Sequence, residues 1–594
     1  MTRKVSPSAL FHSPPRVSFE PEQVVCAQCD SDLKVRKTAG RWVTTLHIGR
    51  FRAAYTIKKC GKCDIVYESQ ELASLVAPSC NFGYDIMVNI GSALFIEHQD
   101  INQIRGRLLK ENIIISLNEI SYLGKKFIAY LAVAHRQSAD KIKELMNTNG
   151  GYILHLDGTC DKGRNPFLVS VLDSISDIVL GNIKVPTEKS EYIIPLLEQV
   201  KKMFGNPLAL VRDMGAAISR AIETVFPKKP DFICHYHFLS DIGGDLLEDD
   251  YAMIRKRLKK YGITAKLHRL ERNLREQLDD NPKIIDMVTP KMDHPNLFDP
   301  EHLGRLPLAS TFMLIEWILD GKNQGRGYGF PFDRVHAVFT QRLYEGYKKI
   351  QGFKNVYLRD NWRDNKPLWK LSNALEDVCS DKLLRQAVDN LQAKAEVFDQ
   401  LRDAMRIAPK SGSDGLNSDS SDEDINTIKK SVEQFRQKVT SDPLYTGQSY
   451  YKKMIAQIDK YWEKLFADPI VVNTPNGKVT IYPQRTNNIM ERFFRDFKRG
   501  DRKKTGNISI SRTLQAMLAD TPLVRNLENP EYLKILLDGC QSLEERFARI
   551  ECQMARDELN KAENSPEKIP AKIKKVIGQP KFLEIIASLF KKRA

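Results

Sequence analysis

The sequence predicts an α/β protein in which a strand-and-helix core is interrupted by a large all-α insertion and preceded by two small modules. Three observations predict it. Two Cys-x-x-Cys pairs stand near the start, apolar β-rich runs alternate with helical patterns from about residue 149, and helical periodicity dominates 245–480. At 594 residues the chain exceeds the usual size of one domain, and no apolar run reaches the roughly 18 residues of a membrane span. The opening MTRKVSPSALFHSPP has no apolar centre of a signal peptide, so a soluble, cytoplasmic protein with no membrane partner is expected. The net charge of +16 points to a polyanionic partner, with nucleic acid the leading class. Ten cysteines in so long a chain do not make a disulfide scaffold.

Residues 1–20 read as a flexible N-terminus. In 21–70, Cys26-Ala-Gln-Cys29 and Cys60-Gly-Lys-Cys63 flank RWVTTLHIGRFRAAYTI, which reads as two strands and a turn. Each short loop directs two thiolates at one ion and the hairpin brings the loops together, so one structural Zn²⁺ with four cysteine ligands is expected, a zinc ribbon. Its Arg50, Arg52, Lys58 and Lys59 suit contact with DNA phosphates. In 71–148, Ile101, Ile104, Leu108 and Leu109 keep helical spacing, and Ser116-Leu-Asn-Glu119 has the form that caps a new helix. A helix-turn-helix follows, with Asn118, Ser121, Tyr122, Lys125 and Lys126 near the start of the second helix, where such a motif enters the major groove.

From Asn149 the runs YILHLDGT, PFLVSVLD, IVLGNIKV, a helix across EKSEYIIPLLEQVKKMF, LALVRDM, a helix at GAAISRAIETVF and DFICHYH give three strands, helix, strand, helix, strand. That is the order of a ribonuclease-H-like core, whose first part is 149–244. It sets the strands bearing Asp157 and Asp213 side by side, with both aspartates at strand ends. The helical insertion spans 245–480 and contains an acidic low-complexity stretch, 411–425, read as disordered. Its glycine-bearing loop GRGYGFPFD, 325–333, does not match a phosphate-cradling P-loop. Residues 481–525 return to the core, and 526–594 form a helical, basic C-terminal tail.

"LDGT" with Asp157, "VRDMG" with Asp213, "CHYH" with Cys234-x-x-His237, and "TNNIMERFFRDFKRGDRKKTGN" with Glu491 together resemble the DDE transposases of bacterial insertion sequences, especially those akin to the Mutator type. Asp157 and Asp213 are 56 positions apart, and Asp213 and Glu491 are 278 apart, a gap that implies the inserted domain. The resemblance implies that Asp157, Asp213 and Glu491 hold two Mg²⁺ (or Mn²⁺), with Asp157 bridging both, to cut and join DNA strands. It also implies that Cys234 and His237 brace the core beside them. Arg492, Arg495, Lys498, Arg499, Arg502, Lys503 and Lys504, on a helix that begins near Glu491, would grip phosphates beside the scissile one. Partners implied are double-stranded DNA, as element ends and target, and further copies of the chain assembled on it near the nucleoid. A non-catalytic DNA-binding descendant and a nuclease that only hydrolyses are the alternatives; the first is disfavoured by the intact acids.

Overall fold

A computed structural model describes residues 14–161, 164–279, 300–356, 362, 365–408, 425–563 and 571–593. The chain divides into two compact units: Met1–Phe232 with Asp468–Ala594, and Ile233–Ala467. The inserted unit thus begins ahead of residue 245. A cut at 244 would fall inside one continuous helix, His235–Tyr261. Its other end also moves, because 470–481 is an antiparallel hairpin, β10 (Ile470–Thr474) with β11 (Gly477–Ile481), that packs with the first unit's Ile153 and Val211.

In the first unit, β1 (Arg16–Phe19), β2 (Leu33–Thr45), β3 (Gly49–Cys60) and β4 (Val66–Tyr67) form a small sheet around a long β2–β3 hairpin. Expected as flexible, 1–20 instead yields a strand at Arg16–Phe19, paired in parallel with Arg52–Tyr55; residues 1–13 lie outside the described residues. Phe19, Val43, Phe51, Ala53, Leu72 and Val76 make a separate small core under this hairpin, which holds the module together without the larger one.

The expected helix pair is Ile101–Lys110 and Leu117–Gln137, the first closed by a capping box from Asp100 and Gln103, the second capped by Ser116 Oγ accepting from Glu119 N at 3.1 Å. The second helix continues into the core because Ile120, Leu123, Phe127 and Leu131 return to one buried face. It lies close against Tyr84–Phe95: a Cβ at Gly91 would sit 2.2 Å from Phe127 Cγ, so only glycine permits this approach.

The larger sheet contains β5 (Ile153–Asp161), β6 (Arg164–Asp173), β7 (Ile178–Val185), β8 (Ala209–Arg212) and β9 (Asp231–Ile233), ordered β7-β6-β5-β8-β9. β5 pairs antiparallel with β6 and parallel with β8. Helices Ser190–Phe204 and Ala216–Val225 supply the connections, so the element order is three strands, helix, strand, helix, strand. Residues 530–550, expected within a tail, instead belong to the main core: Tyr532, Leu536 and Phe547 are fully buried, and Tyr532 Oη lies 3.0 Å from the buried His135 Nδ1.

After Ile233, which ends β9, the described elements of the second unit are helices joined by loops, from His235–Tyr261 to Ser449–Leu465. The acidic stretch 411–425 lies outside the described residues except for Ile425, which starts a helix. Among the described residues, no helix is long and apolar enough to cross a membrane.

Candidate metal centre and carboxylate site

The two cysteine loops close on one another. Cys26 Sγ and Cys63 Sγ are 3.2 Å apart, Cys29 and Cys60 3.4 Å, and Cys29 and Cys63 3.5 Å. Zn–S bonds of about 2.3 Å set tetrahedral edges of about 3.8 Å, so four sulfurs at this spacing are compatible with a structural zinc site. The two loops are built alike: the residue after each second cysteine, Asp30 or Asp64, takes a left-handed backbone (φ 50° and 59°) that aspartate tolerates. Tyr67 Oη donates to Cys26 Sγ at 3.3 Å and is the main cause that lowers the Cys26 thiol to about 6. Cys63 is pushed up to about 12, first by its contact with the Cys26 sulfur. Purified chain is expected to carry about one zinc at this site. Cys29→Ser should lose it by elemental analysis, and a serine variant with unchanged zinc content would remove the assignment.

Asp157 sits beside Asp213 by register. Leu156 on β5 faces Arg212 on β8, so the next residue on each of two neighbouring parallel strands is an aspartate. Asp157 does not end its strand as expected. β5 runs on to Asp161 because β6 still pairs with it; what ends at Leu156 is the pairing with β8. Asp157 is buried and accepts from Gly158 N at 2.7 Å, while Asp213 accepts from Gly215 N at 3.1 Å as the chain turns into its helix.

Arg212 fixes the end of β8. It is buried, holds Asp231 with two bonds of 2.8 and 2.7 Å, and donates from Nη1 to the Asp213 carbonyl at 2.9 Å. On the other side of Asp157, Asn487 Nδ2 donates to the Leu156 carbonyl at 3.1 Å, and His155 Nδ1 donates to Asn487 Oδ1 at 2.9 Å. Burial lowers His155 to about 4, so it is neutral and serves as a donor with a fixed tautomer. These bonds tie the start of helix Asn488–Thr505 to β5, and Glu491 follows one turn later, its N–H bonded to the Asn487 carbonyl at 3.1 Å.

A further acid joins them. A Cβ at Gly158 would lie 3.3 Å from Glu188 Oε1, which puts the Glu188 carboxylate over the strand beside Asp157. Burial and then the charge of Asp213 hold Glu188 above the usual carboxylate range. Among the described residues, only the four cysteines bring three or more ligand atoms of His, Cys, Asp or Glu within 4.8 Å of one another. The carboxylates of Asp157, Asp213 and Glu491 therefore do not form such a cluster.

The remaining sequence-selected residues divide. Asn118, Ser121, Tyr122 and Lys125 are exposed near the start of their helix. Lys126 is not: it is buried, donates to Cys80 Sγ at 2.8 Å and lies 5.9 Å over the Tyr130 ring, so it is no DNA contact. Its place one residue past Lys125 turns it toward the core. Arg492, Arg495, Lys498, Arg499 and Arg502 are exposed. Lys503 is also exposed but donates to the Glu97 carbonyl at 3.5 Å, and Lys504 lies 5.3 Å over the Phe95 ring with its pKa lowered by burial, so the cationic face weakens toward the helix end. Cys234 is fully buried, at the cap of helix His235–Tyr261. His237 is half-buried, edge-on to Tyr236 at 5.5 Å; the clearer brace is the buried His235, whose Nε2 donates to the Leu465 carbonyl at 2.5 Å. No family model and no curated protein matches the chain.

Proposed function

We propose that the chain is a DNA transposase of the DDE type with a ribonuclease-H-like catalytic core, binding its element's ends and cutting and joining DNA at Asp157, Asp213 and Glu491. The observation that carries this reading is the register of Leu156 against Arg212, with Asn487 anchored on Leu156. It sets two adjacent parallel strand positions, each followed by an aspartate, beside the start of the helix that carries Glu491. The sheet order β7-β6-β5-β8-β9 and the helical unit Ile233–Ala467 between Asp213 and Glu491 support it.

Hard carboxylate oxygens suit Mg²⁺ or Mn²⁺, and Glu188, raised by burial and then by the charge of Asp213, adds an acid beside them. Two such ions, when bound, would activate the attacking oxygen and stabilise the leaving one. The chain's own part is positional. Arg212 and Asn487 hold the backbone on either side of the acids, and Arg492, Arg495, Lys498, Arg499 and Arg502 offer charge for flanking phosphates. Asn118, Ser121, Tyr122 and Lys125 would read element ends, with the cysteine module beside them in sequence. Acting on two ends calls for a homo-oligomer on DNA, in the cytoplasm at the nucleoid.

Purified full-length chain, incubated with Mg²⁺ and duplexes carrying the DNA that borders its gene, should leave breaks with 3′-hydroxyls and strands joined to a target. Breaks without joined strands would reduce the activity to hydrolysis. Neither product, with metal present and the chain folded, would overturn the reading.

A further inference from the structure

Loop 325–333 lies in the unit Ile233–Ala467 and takes no part in the carboxylate site's chemistry. Gly327 and Gly329 adopt left-handed backbone (φ 90° and 74°), and the Asp333 carboxylate accepts from the N–H groups of Arg326 at 3.0 Å, Tyr328 at 2.7 Å and Gly329 at 3.0 Å. The loop is thereby pinned as a wall, and Phe330 stacks on the buried Tyr251 at 4.6 Å and 15°. Behind it is a recess of about 530 Å³, whose lining includes Arg255, Lys322 and His336.

Two cations, Arg255 and Lys322, and one carboxylate, Asp333, line this recess. Lys322 donates to Thr264 Oγ1 at 2.5 Å and lies 4.5 Å over the Phe339 ring, two neutral partners. Burial alone holds its pKa below the ordinary lysine value. His336 is lowered by burial, then by the charges of Lys322 and Arg255, which places all three within electrostatic reach of one another. Arg255 pairs with Glu248, and both side chains are half exposed. Asp333 is engaged by the loop's own N–H groups.

We propose that this recess binds a phosphate group, with Lys322 and Arg255 as its charged donors and His336 as a third. A phosphate brings up to two negative charges and several acceptor oxygens, which matches two cations and an imidazole around a space whose lining acid, Asp333, is taken up by the loop's N–H groups. The phosphate is either one of a DNA backbone or that of a small free ligand, and the chemistry at the recess is the same.

Titration calorimetry on the full chain, with inorganic pyrophosphate and separately with a 20-base-pair duplex over a salt series, tests it. Lys322→Met and Arg255→Gln should each weaken pyrophosphate about tenfold, the size of one lost charge-assisted bond. The exposed Lys348→Met should leave it unchanged. If duplex affinity also falls and the salt slope drops by about one in the same variants, the phosphate is one of DNA. If pyrophosphate alone responds, it is that of a free ligand. Arg255 is exposed enough that its glutamine variant should fold even if Lys322→Met does not. Both probes binding folded Arg255→Gln and His336→Gln as tightly as the parent would overturn the proposal.

Discussion

Asp157→Asn is expected to bind element ends as the parent does while losing Mg²⁺-dependent cleavage by about a thousandfold or more, the scale on which groups acting as a unit fail together. The substitution removes a charge but keeps the shape and the acceptor that takes the Gly158 N–H, so β5 and its pairing with β6 should stand. End recognition is assigned to residues 1–148, a segment that ends before β5 begins. Asp213→Asn and Glu491→Gln should fail as completely. Glu433→Gln should not, because Glu433 serves an ordinary i,i+3 pair with Arg436. Filter binding and gel assays on the same preparations check all four. Loss of end binding in a folded Asp157→Asn protein would assign that aspartate to structure.

The second large effect concerns Arg212. Arg212→Met should destabilise the first unit by about 3–5 kcal/mol, because the Asp231 carboxylate, only 10% exposed, would lose the guanidinium that holds it by two bonds. The Asp213 carbonyl would lose its donor as well, so cleavage should fall further than the loss of folded protein explains. Replacing both partners, Arg212→Met with Asp231→Leu, should restore much of the stability, since no charge is then left buried. Urea unfolding of the parent and the two variants measures this. Equal stability of single and double variants would show that the pair is not the anchor described.

The parts of the fold that sequence made legible are those with local causes. Each Cys-x-x-Cys loop carries its own ligand spacing, and the strands of the larger sheet are short apolar runs between turns, so both are legible in the sequence. Asp157 was legible as an acid in an apolar run, but not its place within the strand, because the end of the β8 pairing is a property of another segment. Glu188 was missed since an acid just ahead of a helix also reads as a first-turn residue favoured by the helix dipole. Lys126 was misplaced for a related reason: the start of its helix looks free in sequence, yet the same helix runs 21 residues and buries the face on which Lys126 lies. The strand Arg16–Phe19 is too short to show a period, and its partner Arg52–Tyr55 lies beyond the first cysteine loop.

Iron-directed peptide cleavage tests the central claim most directly. Fe²⁺ in place of Mg²⁺, with ascorbate and peroxide, releases hydroxyl radicals where it binds and breaks the chain nearby. The account predicts breaks clustered around Asp157, Asp213 and Glu491, fading as Mg²⁺ is added and absent from Asp157→Asn. Breaks confined to other segments, or a pattern at those three positions that neither Mg²⁺ nor the asparagine variant diminishes, would contradict a shared metal site there.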